Sequence, residues 1–344
     1  MERKLASVQR VIAIHPIAGA DAIEAVQING WQCVAKKGEF VVGGLGVYFE
    51  IDAIPPDLPP YQFLWTPKKA PLGSVPRPPK ARIRTMRLRG CLSQGLFMPL
   101  AVAGVPADAA EGADVTALLG VGKYEAPLPS GMGEARAAFP RRVPKTDEIR
   151  VQSLPEVLTE LAGHPYVITQ KYDGTSATFL VDPDDGTFHS CGRNWSILAG
   201  DNCYWAVAQQ HELEAKLRAL GGRYALQGEV CGPGIQKNPL GLKQVSLFLF
   251  NAYDLVENRH TSDGELRRIG AEIGVPVVDL IETGASFAHD QASLLALAEG
   301  TYPGTSNERE GIVIRPREER FSAVLNGRLS FKAISNRYLL DERD

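Results

Sequence analysis

The chain has 344 residues, 44% of them hydrophobic and 22% charged, which is ordinary for a globular protein long enough for two domains. Its net charge of −3 gives no sign of nucleic-acid binding, so any such sign must come from local clusters of positive charge. Five widely spaced cysteines and six histidines without zinc-ligand spacing argue against a zinc site or a disulfide framework, and no apolar run approaches membrane-spanning length. We therefore expect a cytoplasmic protein with no membrane contact.

Residues 1–100 contain several short apolar runs that are separated by glycine turns. Glu24–Ile28 leads into Asn29-Gly30, a strong hairpin signal, and Trp31–Ala35 follows it. Short strands with frequent glycine turns predict a small β-barrel, for which the OB type is a good candidate.

A proline-rich segment and a basic segment follow one another before residue 100. Nine prolines between Pro55 and Pro79 predict an irregular loop. From Thr66 to Gly95 there are eight basic residues and no acidic one, and the arginines alternate with apolar residues as on one strand face. We interpret this stripe as a surface for a phosphate backbone, with a solvated edge strand as the alternative. The predicted nucleic-acid-binding residues are Lys80, Arg82, Arg84, Arg87 and Arg89.

The remainder divides into a predicted linker at residues 101–145, with a short helix at Gly112–Gly120, and a second domain at residues 146–344. Strand patterns dominate this domain and do not alternate simply with helices. We therefore predict an α+β fold with mainly antiparallel sheets and flanking helices. The predicted helices are Pro155–Ala162, Asp201–Leu220, Asp263–Ile273 and Gln291–Glu299.

The most informative stretch is Lys171-Tyr-Asp-Gly174, which lies between two apolar runs and predicts a strand, a tight loop and a second strand. A lysine held there can act as a nucleophile if its amine is neutral. A solvated surface loop explains this motif equally well by itself. The motif gains meaning from the residues that follow it in order: Arg193, Glu229, Phe250, Glu310-Gly and Lys332.

This ordered set resembles the covalent nucleotidyltransferases, which comprise DNA ligases, RNA ligases and mRNA capping enzymes. The resemblance implies that Lys171, assisted by Asp173 and Lys332, attacks the α-phosphate of a nucleoside triphosphate. Glu310 and Asp173 would hold Mg²⁺ or Mn²⁺, and cations near Lys171, including Lys332, would lower its pKa. The implied nucleotide-binding residues are Gln170, Lys171, Arg193, Glu229 at the ribose, Phe250 at the base, and Lys332 at the α-phosphate.

The order of domains resembles one branch of this superfamily. Only twelve residues follow Lys332, so we expect no OB module after it, and the predicted barrel precedes the catalytic domain. That order, together with Lys145-Thr-Asp-Glu and Ser330-Phe-Lys-Ala-Ile-Ser, is similar to bacterial and phage ATP-dependent RNA ligases. The resemblance implies a monomer that seals 3′-OH/5′-phosphate nicks in duplexes with RNA on the 3′-OH side, in RNA repair. Ser330 departs from the lysine expected there, and Arg328 is a candidate replacement.

Three other functions remain open at this point. A DNA ligase or a GTP-using guanylyltransferase shares the chemistry, but both are disfavoured by the domain order. A non-enzymatic OB-fold RNA-binding protein with a degenerate second domain is disfavoured by the intact set from Lys171 to Lys332.

Overall fold

The computed structural model describes residues 3–79, 81–124 and 132–341. Within them the chain divides into two compact units. One contains residues 3–124 and Gln152–Pro155, and the other contains residues 132–151 and 156–341. Among these residues, no helix is both long and apolar enough to cross a bilayer.

The first unit consists mainly of short strands. They and its helices are β1 (Ala6–Pro16), β2 (Ile23–Ile28), β3 (Trp31–Lys36), β4 (Leu45–Phe49), β5 (Ala53–Ile54), a 3-10 helix (Pro59–Leu64), β6 (Thr85–Leu88), β7 (Cys91–Gln94), β8 (Leu96–Pro99), α1 (Leu100–Ala103) and β9 (Gly122–Lys123). Five of the strands form an antiparallel sheet in the order β3-β2-β1-β4-β8, and the others form two small pairs, β5-β9 and β6-β7. The core contains Val8, Val47 and Phe49, which come from neighbouring strands.

The second unit contains the remaining strands and helices. They are β10 (Ala135–Ala138), β11 (Ile149–Arg150), α2 (Val157–Leu161), β12 (Tyr166–Lys171), β13 (Thr175–Val181), β14 (Phe188–Cys191), β15 (Trp195–Ile197), α3 (Cys203–Gln210), α4 (Leu213–Ala219), β16 (Tyr224–Cys231), β17 (Ser246–Asp254), β18 (Arg259–His260), α5 (Asp263–Ile273), β19 (Leu280–Gly284), α6 (Gln291–Ala298), β20 (Gly311–Pro316), β21 (Phe321–Ser322), β22 (Gly327–Arg328), β23 (Phe331–Ile334) and α7 (Asn336–Asp341).

Two large sheets organise the second unit. The seven-stranded sheet is antiparallel, in the order β10-β15-β14-β13-β16-β17-β18. The five-stranded sheet has the order β11-β23-β20-β12-β19, and only its β11-β23 pair is parallel. A hydrophobic core joins the seven-stranded sheet to α3, α4 and α5 through residues such as Phe179, Val207 and Ile269. The prediction of mainly antiparallel sheets with flanking helices is confirmed.

The helix predictions succeeded where the sequence carries end signals. Helix α5 has the predicted bounds, because Ser262 and Glu265 form a capping box at its start. The single helix predicted at Asp201–Leu220 is wrong. The segment contains two helices, α3 and α4, because Glu212 between them adopts a left-handed backbone conformation at φ +52°. The helix predicted at Gly112–Gly120 is also wrong, and that segment forms turns.

Candidate active site

Lys171 is the last residue of β12, and its side chain lies next to an acidic residue from the neighbouring strand. Register pairs Lys171 with Gly311 at the start of β20, and Glu310 immediately precedes that strand. The Nζ atom of Lys171 donates a hydrogen bond to Oε2 of Glu310 at 2.6 Å. The lysine side chain as a whole is 24% exposed.

Two glycines allow the close approach of the strands that carry these residues. A Cβ atom on Gly174 would lie 2.4 Å from the carbonyl oxygen of Val230 and 2.9 Å from Cγ of Glu229. A Cβ atom on Gly311, where φ is +157°, would lie 2.2 Å from the carbonyl oxygen of Ala333. Any side chain at either position would push these backbones apart. The glycine that ends Lys171-Tyr-Asp-Gly174 and the glycine that follows Glu310 therefore have a steric role.

The hydroxyl group of Tyr302 ties together the backbone of the three residues nearest the amine. It accepts hydrogen bonds from the backbone N–H groups of Asp173 at 3.0 Å and Glu310 at 3.2 Å. It also donates to the carbonyl oxygen of Lys171 at 3.2 Å. Tyr302 is only 1% exposed, and burial raises its pKa, so the hydroxyl keeps its proton.

Three carboxylates shape the electrostatics around Lys171. Burial acts to lower the pKa of Lys171, but the charges of Glu310, Glu229 and Asp173 outweigh it and raise that pKa. Burial, together with the charges of Glu310 and Asp173, raises the pKa of Glu229 to about 8. In the protein alone, Lys171 is therefore protonated, and Glu229 is largely neutral near pH 7 because burial and the charges of Glu310 and Asp173 oppose its ionisation. The sequence predicts that a metal ion and Lys332 together lower the pKa of Lys171. Lys332 does not achieve this by itself, since the pKa of Lys171 is raised in the protein alone.

This excess of negative charge fits a divalent cation. Oxygen ligands suit Mg²⁺ and Mn²⁺, which bind one or two carboxylates together with water and substrate phosphates. Within residues 3–79, 81–124 and 132–341, no group of three or more Asp, Glu, His or Cys side chains is arranged to hold a metal by itself. A cation at Glu310 and Asp173 would take its other ligands from phosphate and water.

Lys332 occupies the centre of β23, between β20 and β11. It pairs with Val313 on one side and Arg150 on the other. Burial lowers the pKa of Lys332 to about 8, and the charges of Lys171 and Arg150 act in the same direction. Its Nζ atom lies 3.6 Å from Oδ1 of Asp147. Lys332 is therefore a buried cation among other cations, an arrangement that suits a phosphate ligand.

Arg193 lies just after β14 and reaches the same aspartate. Its Nη2 atom donates to Oδ2 of Asp147 at 2.8 Å, and both side chains are about half exposed. Asp147 thus bridges Arg193 and Lys332, two of the predicted nucleotide-binding residues.

A buried polar network fixes the strand that carries Phe250. The Nη1 atom of Arg315 donates to the carbonyl oxygen of Phe250 at 2.6 Å. Its Nη2 atom donates to Glu148 at 2.8 Å, and its Nε atom donates to the hydroxyl of Ser330 at 3.0 Å. Burial opposes ionisation of Glu148, but the charges of Arg315 and Lys332 prevail and lower its pKa to about 2. Phe250 itself is partly buried and packs against the cluster that contains Tyr172 and Tyr302.

Two predicted residues lie in unexpected surroundings. Gln170 is 3% exposed, and strand alternation directs its side chain to the face opposite Lys171. Its Nε2 atom has no hydrogen-bond partner in the part of the chain that the structure describes. Arg328, the candidate replacement for the missing lysine, pairs with Glu319 and donates to Oδ1 of Asn251.

Comparisons with known proteins agree with this geometry. A family model described as an OB-fold domain matches residues 5–100, and one described as RNA ligase matches residues 164–334. A Naegleria gruberi RNA ligase is 36% identical over 98% of each chain, with a TM-score of 0.87, in its structure with PPi and in that of a mutant with AMP and Mn. The same values hold for another mutant of it with ATP and Mn. No curated protein matches the chain. The chain belongs to the RNA ligase family.

The RNA ligase identification confirms several predictions. The N-terminal OB module, the α+β ligase domain and the enzymatic function are all as expected from the sequence. The ordered motifs from Lys171 to Lys332 fall within the part matched by the RNA ligase model.

The basic stripe of the OB module differs from its prediction. Strand β6 covers only Thr85–Leu88, so the arginines do not share one strand face. The prediction that Arg82 belongs to an exposed basic surface is corrected, because its side chain is only 8% exposed. Its Nε atom lies 3.2 Å from Oδ1 of Asp52, and its guanidinium group lies 4.0 Å from the centre of the Tyr124 ring. Arg84 is half-buried, whereas Arg87 and Arg89 are exposed. Lys80 lies outside the described residues.

Sequence reasoning on this RNA ligase missed three residues that organise the site: Tyr302, Arg315 and Asp147. None belongs to a recognisable catalytic pattern. The only available signal was position. Tyr302 lies eight residues before Glu310, Arg315 is the last residue but one of the strand that Glu310 precedes, and Asp147 lies within Lys145-Thr-Asp-Glu.

Proposed function

We propose that this RNA ligase uses ATP to form a covalent lysyl-AMP at Lys171 and seals 3′-OH/5′-phosphate nicks in duplexes with RNA on the 3′-OH side. The observation that carries the proposal is the Lys171 amine, which lies 2.6 Å from Glu310 with Glu229, Asp173 and Lys332 around it. Structures of the similar Naegleria gruberi RNA ligase contain ATP or AMP with Mn, which supports ATP as the nucleotide.

In the first step, the neutral Lys171 amine attacks the α-phosphorus of ATP. A P–N bond forms, the bond to the bridging oxygen breaks, pyrophosphate leaves and the nitrogen releases one of its two protons to solvent. Lys332 stabilises the charge on the α-phosphate oxygens because it is a buried cation. Tyr302 holds the backbone of Lys171 and Glu310 in register during the attack.

Glu310 and Asp173 are the residues that would hold Mg²⁺ or Mn²⁺. When bound, such a cation neutralises carboxylate and phosphate charge and so favours the neutral form of a neighbouring amine. The presence of Mn in the structures of the Naegleria gruberi enzyme supports this assignment. Without the cation, the carboxylates keep Lys171 protonated, since they raise its pKa.

The remaining residues bind the nucleotide in this proposal. Glu229 accepts hydrogen bonds from the ribose hydroxyls, Phe250 packs against the base, and Arg193 contacts a phosphate. Arg315 supports Phe250 from behind through its backbone carbonyl. Gln170 is the weakest member of the set, because its side chain lies on the far face of β12 from Lys171.

In the second and third steps, the AMP moves to the 5′-phosphate of the nick, and the 3′-OH then attacks that phosphate and releases AMP. We propose that residues 1–100 grip the duplex and that residues 146–344 catalyse all three steps. The exposed side chains of Arg87 and Arg89 are the best-supported phosphate contacts, since Arg82 is engaged inside the OB module. Arg84 and Lys80 complete the proposed set.

We further propose a monomer that acts in RNA repair in the cytoplasm. The five cysteines (Cys33, Cys91, Cys191, Cys203 and Cys231) are all free thiols, which suits a reducing compartment.

The first experiment is covalent labelling. Purified protein with Mg²⁺ and α-labelled ATP should give an acid-labile adduct on a denaturing gel, whereas α-labelled GTP should not. Lys171→Ala should lose the label. A label retained by Lys171→Ala would place the nucleophile elsewhere, and no adduct in the unaltered protein would remove the central step.

The second experiment defines the nick. Duplexes with RNA or DNA on each side of the break should be sealed only when the 3′-OH strand ends in RNA. Equal sealing of an all-DNA nick would contradict the proposed strand requirement while leaving the lysyl-AMP chemistry intact.

A further inference from the structure

Asp147 occupies a position between two cations that the proposed function assigns to phosphate groups. Its Oδ2 atom accepts a hydrogen bond from Nη2 of Arg193 at 2.8 Å, and its Oδ1 atom lies 3.6 Å from Nζ of Lys332. The two carboxylate oxygens thus contact two separate positive groups. A phosphate group presents oxygens to arginine and lysine in the same charge-assisted manner. The space between Arg193 and Lys332 is therefore an anion subsite that an internal carboxylate occupies.

The backbone beneath Asp147 is fixed while its side chain is not enclosed. The next residue, Glu148, is anchored to Arg315 at 2.8 Å, and Ile149 and Arg150 form β11 beside β23. The Asp147 side chain itself is 45% exposed, and that of Arg193 is 47% exposed. Half-exposed ion pairs are weak. A 5′-terminal phosphate carries nearly two negative charges, and ATP carries several over its phosphates, so either can displace Asp147 from the half-exposed Arg193 without disturbing the fold.

We propose that Asp147 is an internal competitor for substrate phosphate. It holds Arg193 and Lys332 apart and neutralised in the free enzyme, and it rotates towards solvent when a phosphate enters between them. Asp147 thereby sets the affinity of the site for phosphate. This inference rests on the proposed ligase function, and the phosphate can come from the 5′ end of the nick or from ATP.

The test measures binding after one neutral substitution. Nicked RNA duplexes that differ only in a 5′-phosphate or a 5′-OH at the nick are bound to the unaltered protein and to Asp147→Asn by fluorescence anisotropy without ATP. A second arm measures how the rate of adduct formation depends on ATP concentration. Glu214→Gln is the matched control. It removes the same charge from a side chain that is 49% exposed and that pairs with Arg218 on α4.

We expect Asp147→Asn to bind phosphate about threefold to tenfold more tightly, since the half-exposed ion pair with Arg193 and the longer one with the mostly buried Lys332 no longer compete. A gain confined to the 5′-phosphate nick identifies the nick as the source, and a lower KM for ATP identifies the nucleotide. Binding of the 5′-OH nick, and all properties of Glu214→Gln, should change less than about twofold. Unchanged or weaker phosphate binding in both arms overturns the proposal.

A double-mutant cycle separates direct competition from a general charge effect. In an Arg193→Ala background, Asp147→Asn should give a smaller gain, because one of its two partners is already absent. An equal gain in that background would contradict the bridge. If Asp147→Asn is poorly folded by circular dichroism, Asp147→Ser serves as the second variant. A normal adduct in the unaltered protein together with no effect of Asp147 would refute this inference alone, whereas a missing adduct would refute the ligase chemistry.

Discussion

The sharpest test of the active-site geometry is Tyr302→Phe, which removes one oxygen atom and leaves the ring. That oxygen joins the backbone of Lys171, Asp173 and Glu310 through three hydrogen bonds of 3.0 to 3.2 Å. The ring packs edge-on against Tyr172 at a centroid distance of 6.1 Å, and this contact is preserved in phenylalanine. The substitution therefore changes the alignment of the reacting strands and little else.

The size of the effect follows from what the hydroxyl does. Loss of a buried hydrogen-bonded group costs about 1–3 kcal/mol of unfolding free energy. Misplacement of reacting groups by about 1 Å lowers a rate by about 100-fold. Because Tyr302 fixes the two residues that form the Lys171–Glu310 pair, we expect lysyl-AMP formation to slow by about 10-fold to 100-fold.

The assay is single-turnover adduct formation at saturating ATP, with urea unfolding measured in parallel. Tyr166→Phe is the matched control. Tyr166 is buried like Tyr302, and it lies at the end of β12 opposite Lys171. The substitution removes a hydroxyl that is hydrogen-bonded to Glu282. It should lose stability without slowing the adduct. If Tyr302→Phe forms the adduct within about twofold of the normal rate, the hydroxyl supports only the fold and the positioning argument is refuted.

Three further predictions come from other parts of the structure. Gly174→Ala should abolish adduct formation, since its Cβ atom would lie 2.4 Å from the Val230 carbonyl oxygen. Gly264→Ala on α5, where the backbone is helical and a Cβ atom has no neighbour within 4 Å, should retain activity in the same gel assay. Glu148 has a folded-state pKa of about 2 against an ordinary value of 4.5, so its contribution to stability is full above pH 4.5, and about 3 kcal/mol should be lost as the pH falls towards 2. Urea unfolding of Glu148→Gln should lack that part of the pH dependence, and an unchanged profile would contradict the assignment. Replacing Arg87 and Arg89 together by alanine should reduce the slope of log affinity against log salt for nicked RNA by about 2, and an unchanged slope would show that neither arginine contacts phosphate.

The charged residues of the site could be named from the sequence because their order resembles that of the covalent nucleotidyltransferases, and each also lies at a distinctive point in the chain. Lys171 and Glu310 flank glycines at strand ends, and Lys332 interrupts an apolar run. Such positions can be read from a single chain because strand patterns and glycine breaks are local. The α5 bounds were predictable for the same reason, since the capping box lies within four residues.

Contacts between distant segments could not be predicted in this way. The Tyr302 hydroxyl joins residues that are 131 positions apart, and Arg315 joins Glu148 across 167 positions. No local pattern encodes such pairs. The break between α3 and α4 was hidden because a left-handed glutamate has no sequence signal comparable to that of glycine. The inward rotation of Arg82 depends on Asp52 and Tyr124, which local charge patterns do not reveal.

The serine that replaces the expected lysine at position 330 has a physical explanation in this network. Arg315 already brings a positive charge to that place, and its Nε atom donates to the Ser330 hydroxyl at 3.0 Å. That hydroxyl in turn donates to Glu148 at 3.2 Å. A lysine at position 330 would place a second buried positive charge beside Arg315. The carboxylate of Glu148 would then have to balance two positive charges. A hydroxyl satisfies the same two partners without charge, and Lys332 remains the cation of β23 that is available for phosphate. Arg328 is held by Glu319 and Asn251, whereas Arg315 is the cation that is hydrogen-bonded to Ser330.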